Sequence, residues 1–409
     1  MSHHTPLELI ARAPHRAGFV PGIAAAALLT LAWAAELAMR LAGGSIATSI
    51  AVSQAHGLLM LYGIFPFFMC GFCYTAVPRW LNIGNPAART FVTMPLLLLA
   101  GVLCWLAGLW LGKAWLLAGT AAQLAAFAGL VFTLGGMIRR STVADKQHAR
   151  WVVAGFALAA AGLLCALLWL AGLFANGWWW TRHIALYGFL LPVFLSVAHR
   201  MLPFFSSTVL KPYTPWRPYW LLQLWLAGSV LHGALGIALL PQWPLDLLLA
   251  ALFGYTSWRW QLRHSLSVPL LAMLHLAFAW LAPAFLLQAL AGLGWLSPLA
   301  GLHAITIGFF ITMLVGFASR VMLGHSGRPL QASPALWRLY LLLHGVALLR
   351  VSADIATSAA NLLLAGAGIL LALLLTGWLQ LGAPWLLRQR VDGKTGQSPA
   401  AHKSPPTDH

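Results

Sequence analysis

The sequence predicts an all-α polytopic membrane protein of about twelve transmembrane helices, and three observations carry this prediction. Of the 409 residues, 61% are hydrophobic and only 8% are charged, and the mean hydropathy is +0.82. A soluble domain of this length would have too few polar side chains to cover its surface. The apolar residues are grouped in runs long enough to cross a bilayer. The basic residues are concentrated in every second loop between those runs.

The apolar runs of spanning length define the predicted helices. They fall at about 18–41, 51–77, 91–111, 114–137, 151–174, 181–201, 217–239, 245–262, 268–291, 298–323, 335–357 and 361–386. The eighth run carries Tyr255, Trp258 and Arg259 near one end, so this helix is expected to be short or tilted. Residues 18–387 are therefore predicted to form the transmembrane domain. A cytoplasmic segment, 1–17, precedes it, and a disordered cytoplasmic tail rich in Pro, Ser and Lys, 388–409, follows it.

The loop charges predict the orientation. With a cytoplasmic N-terminus, 20 of the 24 Lys and Arg residues fall in inner segments, and only Arg40, Lys113, Arg182 and Arg350 lie outside. The positive-inside rule then places both termini in the cytoplasm of a bacterium, with the protein in its inner membrane. The same rule accounts for the formal net charge of +17, so the lipid bilayer is the expected partner and nucleic acid is not.

The sixth and tenth predicted helices resemble each other in sequence. HIALYGFLLPVFLSVAHRML, read from His183, aligns with HAITIGFFITMLVGFASRVML, read from His303. The leading histidine, a Gly-Phe pair, an alanine and an arginine coincide. The second helix has a leading histidine of its own, His56, in a shifted register. The separations of 127 and 120 residues between these histidines correspond to four helices each, which favours three repeats of four helices.

Four histidines are predicted to lie at a similar depth near the outer surface. His56, His183 and His303 lie about 5–9 Å below it at a rise of about 1.5 Å per residue, and His232 reaches a similar depth from the other side. Neutral imidazole is a common ligand of haem iron and of copper. Each imidazole could instead hydrogen-bond across a helix interface, but the shared depth favours ligands.

A second layer and three arginines complete the candidate residues. His275 and His344 are predicted about 10–13 Å from the cytoplasmic side, where metal binding and simple packing are evenly balanced. Arg350 and Arg182 lie near the outer surface and, together with Arg40, could neutralise haem propionates. For Arg350 the alternative is a local helix pair with Asp354, four residues further on.

Other polar side chains are given ordinary structural roles. Cys70 and Cys73 share one helix face and are expected to pack in the core. His199, His264 and His325 lie at cytoplasmic helix ends, where solvation at the interface accounts for them.

Three segments resemble signature sequences of the NnrS family. They are GFCYTAVPRW (71–80), RMLPFFSS (200–207) and HAITIGFFITMLVGFASRVMLGHSGRPL (303–330). The resemblance extends over nearly the whole chain in helix number and order, and its most specific part is the end of the third segment. The family is described as haem- and copper-containing membrane proteins with twelve helices, associated with denitrification and nitric-oxide stress. The arrangement is also similar, at the level of the fold, to the catalytic subunit of haem-copper oxidases.

The resemblance implies roles for particular residues. His56 matches the second histidine of the family's His-x-His-Glu-Met segment, His303 and His325 match its tenth-helix motif, and His275 matches a ninth-helix histidine. In this chain, glutamine takes the place of the first histidine of that segment and glycine takes the place of the glutamate, at positions 54 and 57.

The cofactor expectations follow. His56 and His303 are expected to be axial haem ligands, and His183 and His232 are expected to hold copper or a second haem. Arg350 is expected near the haem propionates.

The expected function is a haem-binding membrane protein, with copper as a further candidate cofactor, that responds to nitric oxide and related nitrogen species. Whether it is an enzyme stays open. One alternative is a secondary transporter with buried histidines as proton relays. Acidic residues are scarce inside the helices, and Glu36 is the one that comes closest to a helix interior. This scarcity argues against a transporter. The other is a quinol-linked membrane redox enzyme, for which the sequence identifies no site for the electron donor.

Overall fold

The computed structural model describes residues 6–393, and no strand occurs among them. Twelve long helices account for most of this range, as predicted. Their bounds are Pro14–Leu41 (α1), Val52–Trp80 (α2), Ala88–Leu111 (α3), Lys113–Arg140 (α4), Gln147–Leu170 (α5), Gly177–Val209 (α6), Tyr219–Ile237 (α7), Trp243–Arg259 (α8), Pro269–Gly292 (α9), Pro298–His325 (α10), Pro334–Ala353 (α11) and Ala360–Leu387 (α12). Shorter helical segments occur at Pro6–Ile10, Leu262–Ser265 and Thr357–Ala359.

Within the described residues, eleven of these helices are long and apolar enough to cross a membrane. The exception is α8, which has 17 residues and would extend about 25 Å. Near its start, Asp246 contacts His232 of α7 at 2.6 Å. Just beyond its end, the Trp260 indole donates to the carbonyl of Trp216, which precedes α7, at 2.8 Å. Helix α8 therefore runs antiparallel along the whole of α7, and the prediction of a short eighth helix is confirmed.

The two ends of the helical domain meet on one side of the bundle. Helix α1 starts at Pro14, four residues earlier than predicted, because proline is well suited to the first helical position. Nη2 of Arg16 donates to the carbonyl of Arg388 at 2.9 Å, and α12 packs along α1. An even number of crossings is therefore required, which agrees with twelve helices. Of the predicted disordered tail, 388–409, residues 388–393 are described and form hydrogen bonds with α1 and with the end of α10. The rest of the tail lies outside the described residues.

The three helices that begin with the predicted outer histidines form the centre of the bundle. Buried residues make up 89% of the most apolar part of α2 and 72% of the corresponding parts of α6 and α10, compared with 33–61% for the other spans. Their central parts are apolar on all sides, and their histidines and arginines lie toward the two ends, so these parts can be buried at little cost. The candidate ligands are therefore carried on the best-packed elements of the fold.

Helices α6 and α10 share a local distortion. The sequence alignment indicates that the two helices correspond, but it does not predict the distortion. Each contains a π-helical segment, Ile184–Leu190 in α6 and Ala304–Ile311 in α10. Both segments begin directly after the leading histidine, and such wide turns occur often at functional sites. The distortion rotates the helix after each histidine relative to the turn before it.

Proline and hydroxyl groups explain how these wide turns are tolerated. In α6, Pro192 has no N–H to donate to the preceding turn, and the carbonyl of Tyr187 instead accepts from Ser229 of α7 at 2.7 Å. In α10, the hydroxyl of Thr312 donates to the carbonyl of Gly308. Carbonyl groups that lose a regular helical partner are thus satisfied by side chains.

Candidate functional site

The first candidate site lies where α2, α10 and α11 approach one another. His303 of α10 interacts electrostatically with His56 of α2 and with Arg350 of α11. His56 in turn interacts with Arg350 and with Arg40 at the end of α1. The fold thus brings together His56, His303 and Arg350, which are separated by 47 to 294 positions in the sequence.

The orientation of His303 is set by its own helix. Its Nδ1 lies 2.8 Å from the carbonyl oxygen of Leu299, one turn earlier, and 3.9 Å from Oδ2 of Asp354. Both neighbours are acceptors, so Nδ1 carries the proton and Nε2 carries the lone pair. His303 therefore presents an imidazole nitrogen that is ready to ligate a metal.

His56 is held by an aromatic contact instead of a hydrogen bond. The indole of Trp33 stacks on the imidazole, with ring centroids 3.8 Å apart and an interplanar angle of 26°. Nδ1 of His56 is buried and has no hydrogen-bond partner. A buried polar atom without a partner is costly, and a bound group at this imidazole would supply that partner.

Two arginines next to this site each form an ion pair with a carboxylate of their own helix or its end. Nη1 of Arg350 donates to Oδ2 of Asp354 at 2.5 Å, so the local pair considered as the alternative for Arg350 is formed. Nε of Arg40 donates to Oε1 of Glu36 at 2.7 Å. Burial raises the pKa of the Asp354 carboxyl, an effect that the Arg350 guanidinium opposes. A guanidinium has five N–H groups, so both arginines retain donors for an anionic group.

A second cluster lies at the corresponding ends of α6, α7 and α8. Nδ1 of His232 donates to Oδ1 of Asp246 at 2.6 Å, and Nδ1 of His183 lies 2.8 Å from the carbonyl oxygen of Trp179. His183 and His232 interact electrostatically. The Tyr187 ring packs on His232, with centroids 4.1 Å apart. Histidines that ligate metals usually donate their second ring N–H to a carboxylate or carbonyl in this way.

Amide side chains complete the second cluster. Nε2 of Gln288 donates to the Tyr187 hydroxyl at 2.8 Å, and Nε2 of Gln242 donates to the carbonyl of His232 at 2.8 Å. Gly236 allows this arrangement, because a Cβ there would lie 2.8 Å from Nε2 of His183. The cluster is therefore closely packed on the α7 side.

The alignment of α6 with α10 extends to the hydrogen bonds of their leading histidines. His183 is bonded to the carbonyl of Trp179 and His303 to that of Leu299, in each case four residues earlier in the same helix. The sequence profile of the family described as NnrS protein matches residues 9–390. The chain belongs to the NnrS family. No curated protein matches the sequence.

In this NnrS family member the four predicted outer histidines form two pairs and not one shared site. His303 interacts electrostatically with His56, and His183 interacts electrostatically with His232. Among residues 6–393, no three His, Cys, Asp or Glu side chains are arranged to hold a metal ion. Each pair could therefore contribute two imidazole ligands and no more.

The predicted inner histidines of this NnrS chain each have a separate partner. Nε2 of His275 lies 2.9 Å from the hydroxyl of Ser206. Nδ1 of His344 accepts from the Trp280 indole at 2.7 Å, and its Nε2 is buried without a partner. The two residues do not contact each other. Arg182, predicted near the propionates, stacks over Trp179 at 4.4 Å from the ring centroid.

Three histidines assigned to interfacial solvation differ in their surroundings. His264 is exposed, as expected. His199 is fully buried and its Nδ1 lies 3.0 Å from Nε2 of His148. His325 stacks on His15, with centroids 4.2 Å apart. Solvation therefore accounts for only one of the three.

Sequence reasoning missed Asp246, Tyr187 and Trp33, which hold the predicted histidines in place. Asp246 left a signal, because it is one of only seven acidic residues and lies in the first turn of an apolar helix. Such a residue needs a buried partner, and His232 is the nearest histidine in the sequence. Trp33 gave no signal, since tryptophans near helix ends are common at membrane interfaces.

Proposed function

We propose that this NnrS family member binds haem through His56 and His303 and acts in the membrane response to nitric oxide and related nitrogen species. The observation that carries the proposal is the proximity of His56, whose Nδ1 is buried and unpartnered, to His303. The Nδ1 of His303 is engaged, and its Nε2 is free to ligate. Family membership supports the coarser function, a membrane protein of the nitric-oxide response.

The residues at this site fit the chemistry of a haem. Two neutral imidazoles from different helices suit an iron centre. Arg350 and Arg40 provide cationic donors for carboxylates. The apolar cavity at the centre of the bundle is about 50 Å³ and has no histidine in its lining, so it is no alternative for a porphyrin. When bound, haem supplies an iron centre that can ligate nitric oxide or change its oxidation state.

The side chains around the imidazoles contribute orientation and charge. Leu299 sets the tautomer of His303 through its carbonyl, Trp33 fixes the ring plane of His56, and Asp354 holds Arg350 beside both. Copper, or a second haem, is assigned to His183 and His232. Their Nδ1 atoms are both engaged by acceptors, which supports ligation through Nε2.

The test is an optical spectrum of the detergent-purified protein, expressed with ample haem, before and after reduction and after addition of nitric oxide. We expect about one six-coordinate, low-spin haem per chain, and a spectral change as added nitric oxide displaces one of the two imidazoles. Metal analysis of the same sample measures copper. Purified, folded protein that contains no haem would overturn the proposal.

One observation favours the transporter alternative. His232 and Asp246 form a buried titratable pair, 2% and 1% exposed, and such pairs relay protons in transporters. Proteoliposomes with an imposed pH gradient distinguish the two functions, because a relay would produce a proton flux that Asp246→Asn abolishes. The haem proposal predicts a spectrum and no such flux.

The proposal includes placement in a bacterial inner membrane with both termini in the cytoplasm. The charge distribution of 20 to 4 and the contact between Arg16 and Arg388 support it. A fluorescent protein fused after Arg390 should fluoresce, whereas alkaline phosphatase fused there should be inactive. An active phosphatase would reverse the orientation and the assignment of the histidine pairs to the outer side.

A further inference from the structure

A group of basic side chains that the proposed haem site does not use lies on the side of the bundle where the two termini meet. His15 of α1 stacks on His325 of α10, with ring centroids 4.2 Å apart. The segment 388–392 covers this pair. Nη1 of Arg390 donates to the carbonyl of His325 at 3.1 Å, and the N–H of Val391 donates to the carbonyl of Ser326 at 3.0 Å.

The turn that receives this segment requires glycine. Gly327 has a φ of +74°, and a Cβ there would lie 2.6 Å from Cγ of Asp392. The Gly-His-Ser-Gly-Arg-Pro sequence at the end of α10 thus builds a surface for 388–392. This explains part of the motif that the sequence analysis singled out and that the proposed haem site leaves without a role.

Positive charge is concentrated around the two imidazoles. Arg16, Arg79 and Arg390 all lie within electrostatic range of both His15 and His325, and Arg12 lies within range of Arg16. Asp392 pairs with Arg390 through hydrogen bonds of 2.5 and 2.9 Å. Arg16 has no such carboxylate, because its hydrogen bond is to the carbonyl of Arg388. The cluster therefore carries excess positive charge.

One guanidinium nitrogen in this cluster is left without a partner. Arg16 is only 6% exposed, and its Nη1 is buried with no hydrogen-bond partner. A charged N–H group that is buried and unpaired is costly. Arg16 lies in the first turn of the 28-residue helix α1. The N-terminus of such a helix carries partial positive charge, which attracts anions. Pro14 has no N–H, and the N–H groups of Arg16 and Ala17 donate to the carbonyl of Ala13, so the first turn offers the N–H of His15.

We propose that His15, Arg16 and His325 form a binding site for an oxyanion of the phosphate class, beneath the segment 388–392. The free Nη1 of Arg16 and the backbone N–H of His15 would donate to two oxygens of the anion, and one N–H from each neutral imidazole would complete the contacts. Guanidinium groups bind phosphate through paired N–H donors. Arg79, which is exposed, contributes long-range attraction.

The phosphate group has two sources at this position. It is either free inorganic phosphate from the aqueous side or the headgroup of an acidic phospholipid, because the site lies at the end of the helical bundle. Both present the same oxygens to Arg16. The experiment therefore has one arm for each source.

In the first arm, binding of radiolabelled inorganic phosphate to full-length, detergent-purified protein is measured by equilibrium dialysis at constant ionic strength. We expect saturable binding of one phosphate per chain. Arg16→Gln should weaken it about tenfold, the loss of a charge-assisted hydrogen bond, and Arg16→Lys should weaken it less. Arg338→Gln is the matched control and should leave binding unchanged, because Arg338 is exposed and bonds only to Pro334 of its own helix.

In the second arm, native mass spectrometry counts phosphatidylglycerol retained by the same variants. Retention by wild type and its loss in Arg16→Gln, without phosphate binding in the first arm, supports the site and identifies a lipid headgroup as its occupant. If Arg16→Gln does not fold, Arg79→Gln replaces it, with an expected weakening of about threefold. Wild type that binds neither probe, or equal losses in Arg16→Gln and Arg338→Gln, would overturn the proposal.

Discussion

Replacement of His303 by glycine is expected to convert the proposed haem from a six-coordinate, low-spin form to a five-coordinate, high-spin form. Loss of one axial imidazole opens a coordination position on the iron. Because the imidazole of His303 is only 16% exposed, its removal leaves a cavity of its own shape. Added imidazole should therefore restore the low-spin spectrum, as measured by optical absorption and electron paramagnetic resonance.

His56→Gly should give the same conversion and the same rescue, since the proposed site has one imidazole from each helix. His275→Ala is the control, because His275 is a histidine buried even more deeply, at 2% exposure, and is bonded to Ser206 in a separate part of the bundle. It should leave the spectrum unchanged. If His303→Gly and His56→Gly both keep the wild-type spectrum, the haem lies elsewhere, and His344, whose Nε2 is buried without a partner, becomes the next residue to replace.

Replacement of Asp246 by alanine is expected to lower the free energy of unfolding by about 3 kcal/mol, the usual cost of removing one partner from a buried pair. Asp246 is 1% exposed and His232 is 2% exposed, so water cannot take the place of the lost carboxylate. Asp246→Asn keeps an oxygen near Nδ1 of His232 and should cost about 1 kcal/mol. Denaturant unfolding of the purified variants, followed by tryptophan fluorescence, measures both.

The double replacement His232→Leu with Asp246→Leu tests whether the cost comes from the pair itself. It leaves no unpaired polar group, so its cost should be well below the sum of the two single replacements. Any copper bound at His183 and His232 should be lost in the double variant even where stability is retained. Additive single and double effects would show that the 2.6 Å contact contributes no coupling energy.

Much of the fold could be predicted because it depends on local properties of the chain. A run of apolar residues forms a helix in a bilayer whatever its neighbours are, since the helix satisfies its own backbone. Proline at position 14 shifted the first boundary by only one turn. The structure also agrees with the alignment of the helices led by His183 and His303. In both helices, Nδ1 of the histidine lies at the backbone carbonyl four residues earlier.

The partners of the candidate ligands were much harder to predict. Asp246 reaches His232 across the turn between two helices, and Trp33 reaches His56 from α1. Neither contact joins residues at a sequence separation that is typical of a helix face or a known motif, so the sequence does not predict it. His199 and His325 lie near helix ends and read as solvated, yet other segments cover them, the start of α5 at His148 in one case and the N-terminus of α1 in the other.

The sequence alone determined the number of helices and their order, because hydrophobicity acts along the chain, and it predicted a depth for each histidine from the rise per residue. Only the tertiary structure decided that His56 lies near His303 and that His183 lies near His232, close enough to interact electrostatically. The depth of a residue does not specify the direction in which its side chain points around the helix axis. That rotation is set by packing against other helices, and the residues brought together lie 49 positions apart for His183 and His232 and 247 positions apart for His56 and His303. In α6 and α10 the π-helical turns alter it further.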